Sequence, residues 1–280
     1  MSEHIAYSRA DAVAHLVIDR PDKRNALTAE MVEALLAGVR RASADDDVKV
    51  IVIRAEGPAF CAGFDITDTR DFHGASDESP RARLGALREK SAWMREFLLV
   101  GKPLVVAAHG ACVGIGTYLC LVADFALAAD DAAFGLPEER FGSAGATWAY
   151  PFLIREVGLK RANEIVLTGR RFGAAEFRDL GLVNRVVPRA ELATATDGLC
   201  AALASLPRDG IALNRAVKEL SLAVVGHLDA FPFHAGLHAN AERIRREPDE
   251  FDFLAAVEAD GMRAALERRN REFGGDWWGW

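Results

Sequence analysis

An α/β core followed by a helical C-terminal module is the fold class that the sequence predicts. Short apolar runs alternate with helical patterns in the first half, and from about residue 146 onward helical patterns dominate. The first half also repeats a unit of strand, small-residue turn and helix, near residues 13–44, 48–97 and 104–122. We therefore expect residues 1–200 to form the core and residues 201–280 to form the helical module.

A strand and a capped helix are the first predicted elements. The segment "VAHLVI" at 13–18 alternates as a half-buried strand does. Thr28 is a suitable N-cap for the next helix. Apolar residues follow it in helical spacing, at Met31, Val32, Leu35, Leu36 and Val39. Further strands are predicted at 48–55, 104–109, 123–129 and 132–136.

The remaining segments are a polar stretch and a series of helices. Residues 67–82 contain almost no aliphatic side chains, which predicts a mobile loop, and a helix is expected over 83–99. The later helices are predicted at 146–157, 160–167, 173–178, 190–205, 209–222, 229–246 and 249–270.

Composition and charge exclude several classes of function. The net charge of −7 argues against broad nucleic-acid binding, which depends on clustered Lys and Arg. No apolar run approaches the roughly 20 residues needed to span a bilayer, and the N-terminal segment does not have the pattern of a secretory signal. We therefore expect neither a nucleic-acid partner nor a membrane partner. The cysteines form no CxxC pair and stand among small or apolar residues, at Cys61, Cys112, Cys120 and Cys200. Buried free thiols and a cytoplasmic location are expected.

The glycine-rich segment "HGACVGIGTYLC" at 109–120 follows a predicted strand and begins a predicted helix. Such a turn can cradle a phosphate or direct backbone N–H groups at a developing oxyanion. Its glycine spacing is that of short-chain dehydrogenases, but it comes after residue 100 rather than at the start of the fold. Those enzymes also need a Tyr with a Lys four residues later. Each tyrosine is instead followed at that spacing by another residue: Tyr7 by Asp11, Tyr118 by Val122 and Tyr150 by Ile154. The dinucleotide interpretation is therefore disfavoured.

A second small-residue turn, "AFCAGFDI" at 59–66, also follows a β-type run. Together the motifs resemble the crotonase superfamily, the enoyl-CoA hydratase and isomerase family, over nearly the whole chain. The segments that carry the resemblance are "RPDKRNALT", "AFCAGFDI", "GACVGIG", "ADFALAADDAAFGLPE", "LTGRRFGAAEFRDLGLVNRVV" and "EADGMRAALERRNREFG". The resemblance implies a crotonase-like spiral of repeated ββα units with a C-terminal trimerisation module.

The same resemblance implies a catalytic set. The backbone N–H groups of Phe64 and Ile115 would bind the thioester carbonyl and stabilise an enolate. Glu138, in "FGLPEER", corresponds to one of the two glutamates of the hydratases in this family. The other should stand three residues after Ile115, where this sequence has Tyr118.

The missing glutamate leaves the reaction open. A single glutamate suffices to move a proton between C2 and C4 of an acyl-CoA, as an isomerase does. A hydratase remains possible if another group or a bound water replaces the missing acid, and a non-catalytic acyl-CoA binder is the alternative from another class. Tyr118 could hold a water, bind polar groups of the substrate or fill space.

Coenzyme A is expected as part of the substrate, with no covalently bound cofactor and no metal. His234 and His238 have a spacing that can hold a metal, but no third ligand accompanies them. By resemblance, the residues near coenzyme A are Lys23, Arg24, Ala26, Leu27, Ala62, Asp65 and Ile66, together with Tyr118 in the acyl pocket. The resemblance also implies that Phe273 contacts coenzyme A bound to a neighbouring subunit. Asp65 is also expected to fix the geometry of the first turn, and His109 to make a structural hydrogen bond. The resemblance further implies a homotrimer, or a hexamer made of two trimers. The tryptophans of the tail "GGDWWGW" are expected at an interface or folded back onto the surface.

Overall fold

A computed structural model describes residues 2–66, 92–142, 149–229 and 250–273. It has the predicted α/β fold with helices towards the C-terminus. Several predictions fall outside the described residues: the loop at 67–82, most of the helix at 83–99, the helix at 229–246, His234, His238 and the tryptophan-rich tail. No helix in the described ranges is long and apolar enough to cross a membrane.

The strands and helices alternate along the core. The strands are β1 (Ile5–Ala10), β2 (Val13–Ile18), β3 (Val50–Ala55), β4 (Leu104–Ala108), β5 (Ala111–Val113), β6 (Phe125–Ala129), β7 (Ala133–Gly135), β8 (Phe172–Gly173) and β9 (Arg185–Val187). The helices are α1 (Ala29–Ala44), α2 (Ile115–Val122), α3 (Ala149–Thr168), α4 (Ala174–Asp179), α5 (Leu192–Ala204), α6 (Arg208–Val224) and α7 (Phe253–Glu272). Residues 92–98 are also helical, and short 3-10 helices occupy Pro21–Lys23, Glu138–Phe141 and Arg189–Glu191.

Two sheets are formed by the described residues. The larger has the strand order β1-β2-β3-β4-β6-β9, in which β1 and β2 are antiparallel and the other pairs are parallel. The smaller has the order β5-β7-β8. Strand β4 leads through Gly110 into β5, so the chain passes from the first sheet to the second at the glycine-rich segment.

Both faces of the larger sheet are covered, which explains why β4 and β6 are apolar throughout and β3 begins with four apolar residues. Ile51 and Ile53 of β3 belong to the main core. Their neighbours Val50 and Val52 point to the other face, where they pack with Leu192 and other residues. The sheet is therefore a buried platform, and its strand ends can hold loops in fixed positions.

Most predicted elements are confirmed within the described residues. Thr28 caps α1 by accepting a hydrogen bond from the N–H of Met31. The two helices predicted at 146–157 and 160–167 correspond to α3, whose backbone breaks from helical geometry at Gly158. Strand β1 was not predicted because most of its side chains are exposed or half-buried, so it lacks an apolar pattern. The very short strands β5, β8 and β9 were missed as well.

Candidate active site

The two small-residue turns lie side by side because their chains pair in parallel. Cys61 and Cys112 form an isolated β-bridge. The N–H of Cys61 donates to the carbonyl of Ala111 at 3.0 Å, and the N–H of Val113 donates to the carbonyl of Cys61 at 2.9 Å. The turn that begins at residue 59 and the glycine-rich segment are therefore held in a fixed register.

Glycines are required where these two segments approach most closely. A Cβ at Gly110 would lie 2.1 Å from the carbonyl oxygen of Pro58, and the φ of Gly110 is +54°. A Cβ at Gly116 would lie 2.8 Å from the Cβ of Cys61. Neither backbone position can accept a side chain without moving the other turn.

The expected oxyanion donors follow two adjacent glycines. A Cβ at Gly114 would lie 3.6 Å from the Cα of Gly63, so the two peptide units that carry the N–H groups of Phe64 and Ile115 begin next to each other. Ile115 is the first residue of α2, and the carbonyl of Gly114 accepts from the N–H of Tyr118. Because the N–H and C=O of a trans peptide point in opposite directions, the N–H of Ile115 points out of the helix start.

The same argument gives the direction of the N–H of Phe64. The carbonyl of Gly63 accepts from the N–H of Leu27 at 2.9 Å, and the N–H of Asp65 donates to the carbonyl of Leu27 at 2.9 Å. The N–H of Phe64 therefore points away from Leu27. The contacts that hold these two N–H groups involve backbone atoms, so Phe64 and Ile115 need no particular side chain for this geometry.

Glu138 lies against the glycine turn. It begins the 3-10 helix Glu138–Phe141, directly after Pro137. A Cβ at Gly114 would lie 3.6 Å from the Oε1 atom of Glu138. Its Oε2 atom is buried and has no hydrogen-bonding partner among the described residues. Glu138 is thus next to the turn that carries the N–H of Ile115, and its acid–base role stays a prediction.

The environment of Glu138 suits proton transfer near neutral pH. Burial raises the pKa of Glu138 to about 7, because a charged carboxylate is poorly solvated there. Hydrogen bonds from Tyr118 and from the backbone of Glu138 lower this pKa, and the charge of Glu139 raises it, but each effect is smaller than that of burial. A carboxyl group with a pKa near 7 can both take and return a proton at physiological pH.

Tyr118 is the partner of Glu138. It is the fourth residue of α2, its exposed fraction is 5%, and its hydroxyl donates to the Oε1 atom of Glu138 at 2.8 Å. Burial, together with the charge of Glu138, raises the pKa of Tyr118 well above its ordinary value. The sequence placed Tyr118 at the position of a missing acid, but gave no signal of this hydrogen bond.

The segments expected near coenzyme A are joined to each other by backbone hydrogen bonds. The N–H of Ala62 donates to the carbonyl of Arg24 at 3.1 Å, and Leu27 bonds to Gly63 and Asp65 as described above. The side chains of Lys23 and Arg24 are exposed, as binding a phosphate requires, whereas the side chain of Leu27 is fully buried. Ala26, Ala62 and Ile66 are half-buried.

Asp65 and His109 make the structural contacts that the sequence predicts. The Oδ2 atom of Asp65 lies 2.7 Å from the Nη1 atom of Arg20, and no motif in the sequence indicates this pair. A ring nitrogen of His109 lies 3.2 Å from the carbonyl oxygen of Gly57, and burial lowers the pKa of this histidine. Both contacts therefore help to hold the turn that carries Phe64 in place.

Phe273 lies near Arg140, a residue of the 3-10 helix that begins at Glu138. It follows α7, its exposed fraction is 39%, and its ring centroid is 5.8 Å from the guanidinium of Arg140. Helix α7 also packs through Phe253 against Phe141 and Ile66, which flank the site. The structure thus brings Phe273 near the 3-10 helix of Glu138, and the contact with a neighbour's coenzyme A stays a prediction.

Comparison with known proteins gives the family. The model of the enoyl-CoA hydratase/isomerase family matches residues 8–275. The chain belongs to this family. The resemblance to the crotonase superfamily, drawn from the motifs of the sequence, is therefore confirmed.

Solved structures of family members share the fold. A probable enoyl-CoA hydratase from Mycobacterium thermoresistibile is 31% identical, with a TM-score of 0.76, and the match covers 86% of this chain and 98% of that one. An enoyl-CoA hydratase/isomerase from Xanthobacter autotrophicus Py2 is 29% identical, with a TM-score of 0.88 and coverage of 98% and 100%. An enoyl-CoA hydratase from Mycobacterium smegmatis is 28% identical, with a TM-score of 0.84 and coverage of 99% and 96%. The crotonase-like fold is thus confirmed.

The cysteines of this family member are buried, as predicted. All four lie in the described part of the chain and are free thiols. Burial raises the pKa of Cys61 to about 12 and that of Cys200 to about 11, so both stay protonated at neutral pH. Within the described ranges, His, Cys, Asp and Glu do not form a group of three that could hold a metal ion.

Proposed function

We propose that the protein is an acyl-CoA isomerase that moves a proton with Glu138 beside an enolate held by the N–H groups of Phe64 and Ile115. The observation that carries this proposal is the buried carboxyl of Glu138, which lies against the glycine turn with a tyrosine, and not a second acid, as its partner. The family includes both hydratases and isomerases, so the partner of Glu138 is the feature that favours one of them.

The two N–H groups would stabilise the thioester oxygen as it gains negative charge. Their directions are set by backbone contacts at Gly63 and Gly114, so they need no rearrangement during the reaction. The loss of one donor from such an oxyanion hole costs about 3 kcal/mol of transition-state stabilisation. This explains why the two turns are held in register by the Cys61–Cys112 pairing.

Glu138 would carry the proton. As a carboxylate it removes a proton from C2 of a 3-enoyl-CoA, and the electron pair of the C2–H bond forms an enolate conjugated with the C3–C4 double bond. The protonated Glu138 then returns the proton to C4, the double bond moves to C2–C3, and the carboxylate is regenerated. A pKa of about 7 allows Glu138 to perform both steps.

Hydration is the second candidate. It adds the elements of water across the C2–C3 double bond, and in this family it commonly uses two carboxylates that share the water. Tyr118 stands in the place of one of them, and its hydroxyl is already bound to Glu138. This contact favours isomerisation over hydration.

The remaining parts of the proposal concern substrate binding, assembly and location. The exposed Lys23 and Arg24 would lie near the phosphates of coenzyme A, with Ala26, Leu27, Ala62, Asp65 and Ile66 close by and Phe273 against a coenzyme A of a neighbouring subunit. A homotrimer or a hexamer and a cytoplasmic location are proposed with it. The exposed side chains of Lys23 and Arg24 support the first part, and the free, buried thiols agree with the location.

Turnover of 3-enoyl-CoA and of crotonyl-CoA tests the proposal. We expect the wild-type protein to isomerise the 3-enoyl-CoA and to hydrate crotonyl-CoA slowly. Glu138→Gln should reduce isomerisation at least a hundredfold, because the amide cannot accept the proton. Glu219→Gln is the matched control: it makes the same change at an exposed glutamate of α6 and should leave turnover close to that of the wild type.

Three other results of these assays would each support a different alternative to the proposal. Fast hydration of crotonyl-CoA would show that Tyr118 does not prevent the addition of water. Tight binding of acyl-CoA with no turnover of any substrate in a panel would indicate a non-catalytic binder. Unchanged turnover in Glu138→Gln would remove this residue from the mechanism.

A further inference from the structure

The hydrogen bond between Tyr118 and Glu138 differentiates the two oxygens of the carboxyl group. The Oε1 atom accepts from the tyrosine hydroxyl at 2.8 Å. The Oε2 atom is buried and meets no hydrogen-bonding partner in the described part of the chain. Oε1 is thus bound by a donor, whereas Oε2 is able to accept a proton.

This asymmetry determines where a proton binds to Glu138. An oxygen that already accepts an O–H donor is stabilised as the carbonyl oxygen of the protonated acid. A proton taken from a substrate is therefore expected on Oε2. The carboxyl then keeps its hydrogen bond to Tyr118 in both protonation states, and its plane does not need to turn between the two steps.

Tyr118 itself cannot serve as a second base. Its hydroxyl has one proton, which it donates to Glu138, and its pKa is raised well above the ordinary value by burial and by the charge of Glu138. It stays protonated through the neutral pH range. Of these two residues only Glu138 can take up a proton, although hydratases of this family have a glutamate at both positions.

We propose that Tyr118 is a positioning residue that holds Oε1 of Glu138, so that Oε2 alone exchanges a proton with the acyl chain. This inference rests on the proposed role of Glu138. It gives Tyr118 a role different from those expected from the sequence, which were to hold a water, bind polar groups of the substrate or fill space.

Other charged groups lie near the pair. Glu139 and Arg140 belong to the same 3-10 helix as Glu138. The Nε atom of Arg140 donates to the carbonyl of Thr168 in α3. From α7, the guanidinium of Arg269 lies 4.6 Å from the ring centroid of Phe141. Substitution of Tyr118 by Phe changes none of these groups and removes the hydroxyl that donates to Oε1 of Glu138.

Tyr118→Phe is the experiment, with Tyr150→Phe as its matched control. The hydroxyl of Tyr150 bonds to Asn163 and not to Glu138, so the control removes a tyrosine hydroxyl and a different hydrogen bond. For Tyr118→Phe we expect kcat for the 3-enoyl-CoA to fall about tenfold, as expected when a charge-assisted hydrogen bond is lost. KM should change less than about twofold, since the coenzyme A loop is not touched. The acid limb of the pH profile should move to higher pH, because this hydrogen bond lowers the pKa of Glu138.

A purely structural tyrosine would give a different result. Its loss would lower the melting temperature but leave the acid limb where it is, and that outcome would overturn the inference. Glu138→Gln is measured in parallel. If it retains activity, the proposed function fails. If it is inactive while Tyr118→Phe has wild-type kcat and an unchanged pH profile, only the positioning role fails.

A measurement on the wild-type protein covers the case in which Tyr118→Phe does not fold. At acid pH, the infrared C=O stretch of protonated Glu138 can be assigned by its loss in Glu138→Gln. We expect the frequency of a carbonyl that accepts a hydrogen bond, because Oε1 is bound to Tyr118. The frequency of a free carbonyl would contradict the inference.

Discussion

Arg20 and Asp65 join the loop that carries the exposed cations to the turn that carries Phe64. The Nη1 atom of Arg20 donates to Asp65 at 2.7 Å and to the carbonyl of Ala26 at 3.0 Å. The exposed fractions of the Arg20 and Asp65 side chains are 16% and 8%, so water screens this ion pair only weakly. Since Asp65 directly follows Phe64, the ion pair holds the turn of this proposed oxyanion donor against the loop that is proposed to bind coenzyme A.

Arg20→Met is expected to destabilise both the protein and the turn. Removal of one partner leaves a carboxylate in a poorly solvated place, which costs about 3 kcal/mol for buried pairs. Urea unfolding measures this loss, and a fall in kcat/KM would follow from a less rigid turn. Arg40→Met is the control, because Arg40 is 55% exposed and its pair with Glu96 should contribute less than about 1 kcal/mol. An equal effect of the two variants would contradict the role of Arg20.

The rate of isomerisation should depend on the ionisation of Glu138. In the proposed mechanism the carboxylate of Glu138 removes the proton, and burial raises the pKa of Glu138 to about 7. We therefore expect kcat/KM to rise with pH and to reach half of its maximum near pH 7. The profile is measured with a 3-enoyl-CoA between pH 5 and pH 9. A flat profile between pH 5 and pH 8 would mean that Glu138 is already ionised at pH 5 or is not the base.

The raised pKa of Glu138 also predicts a change of stability with pH. Its folded-state pKa of about 7 lies above the ordinary value of 4.5, so the folded protein binds more protons than the unfolded chain between these values. The favourable contribution of Glu138 to the free energy of unfolding is fully present below pH 4.5 and is lost as the pH rises through 7. Glu138→Gln should therefore be more stable than the wild type at pH 8, by about 2 kcal/mol, and nearly equal at pH 4.5.

Urea unfolding at the two pH values checks this prediction. Glu219→Gln is the control, because Glu219 is exposed on α6 and the substitution should have little effect at either pH. A Glu138→Gln variant that is less stable than the wild type at pH 8 would contradict the prediction that the Glu138 carboxylate is buried and destabilising at this pH.

Local patterns in the sequence were enough to predict the buried strands of the larger sheet. Ile51 and Val52 point to opposite faces of a sheet that is covered on both sides, so the first four residues of β3 are apolar and predict a buried strand. The Thr28 cap needs only residues within one helical turn. Strand β1 was missed because an exposed edge strand has no such pattern.

The contacts of the candidate site depend on residues far apart in the chain. Tyr118 and Glu138 are 20 residues apart, and Arg20 and Asp65 are 45 apart. Residue types and spacing identified Glu138, Phe64 and Ile115 through the family motifs. They did not show that Tyr118 binds Glu138, because that contact depends on how α2 and the 3-10 helix meet in space.

Helix α6 presents an exposed apolar stripe, and substitutions in this stripe can test the predicted assembly. Leu213, Val217, Leu220 and Val224 recur at intervals of four, three and four residues, and each is at least 60% exposed. Such a stripe is costly to leave in water and is typical of a protein interface. We therefore expect Leu213→Lys with Leu220→Lys to shift a trimer or hexamer towards smaller species in sedimentation velocity. Asn214→Lys, which adds a charge beside the stripe, should leave the assembly unchanged. If the double variant sediments as the wild type does, α6 is not part of the interface.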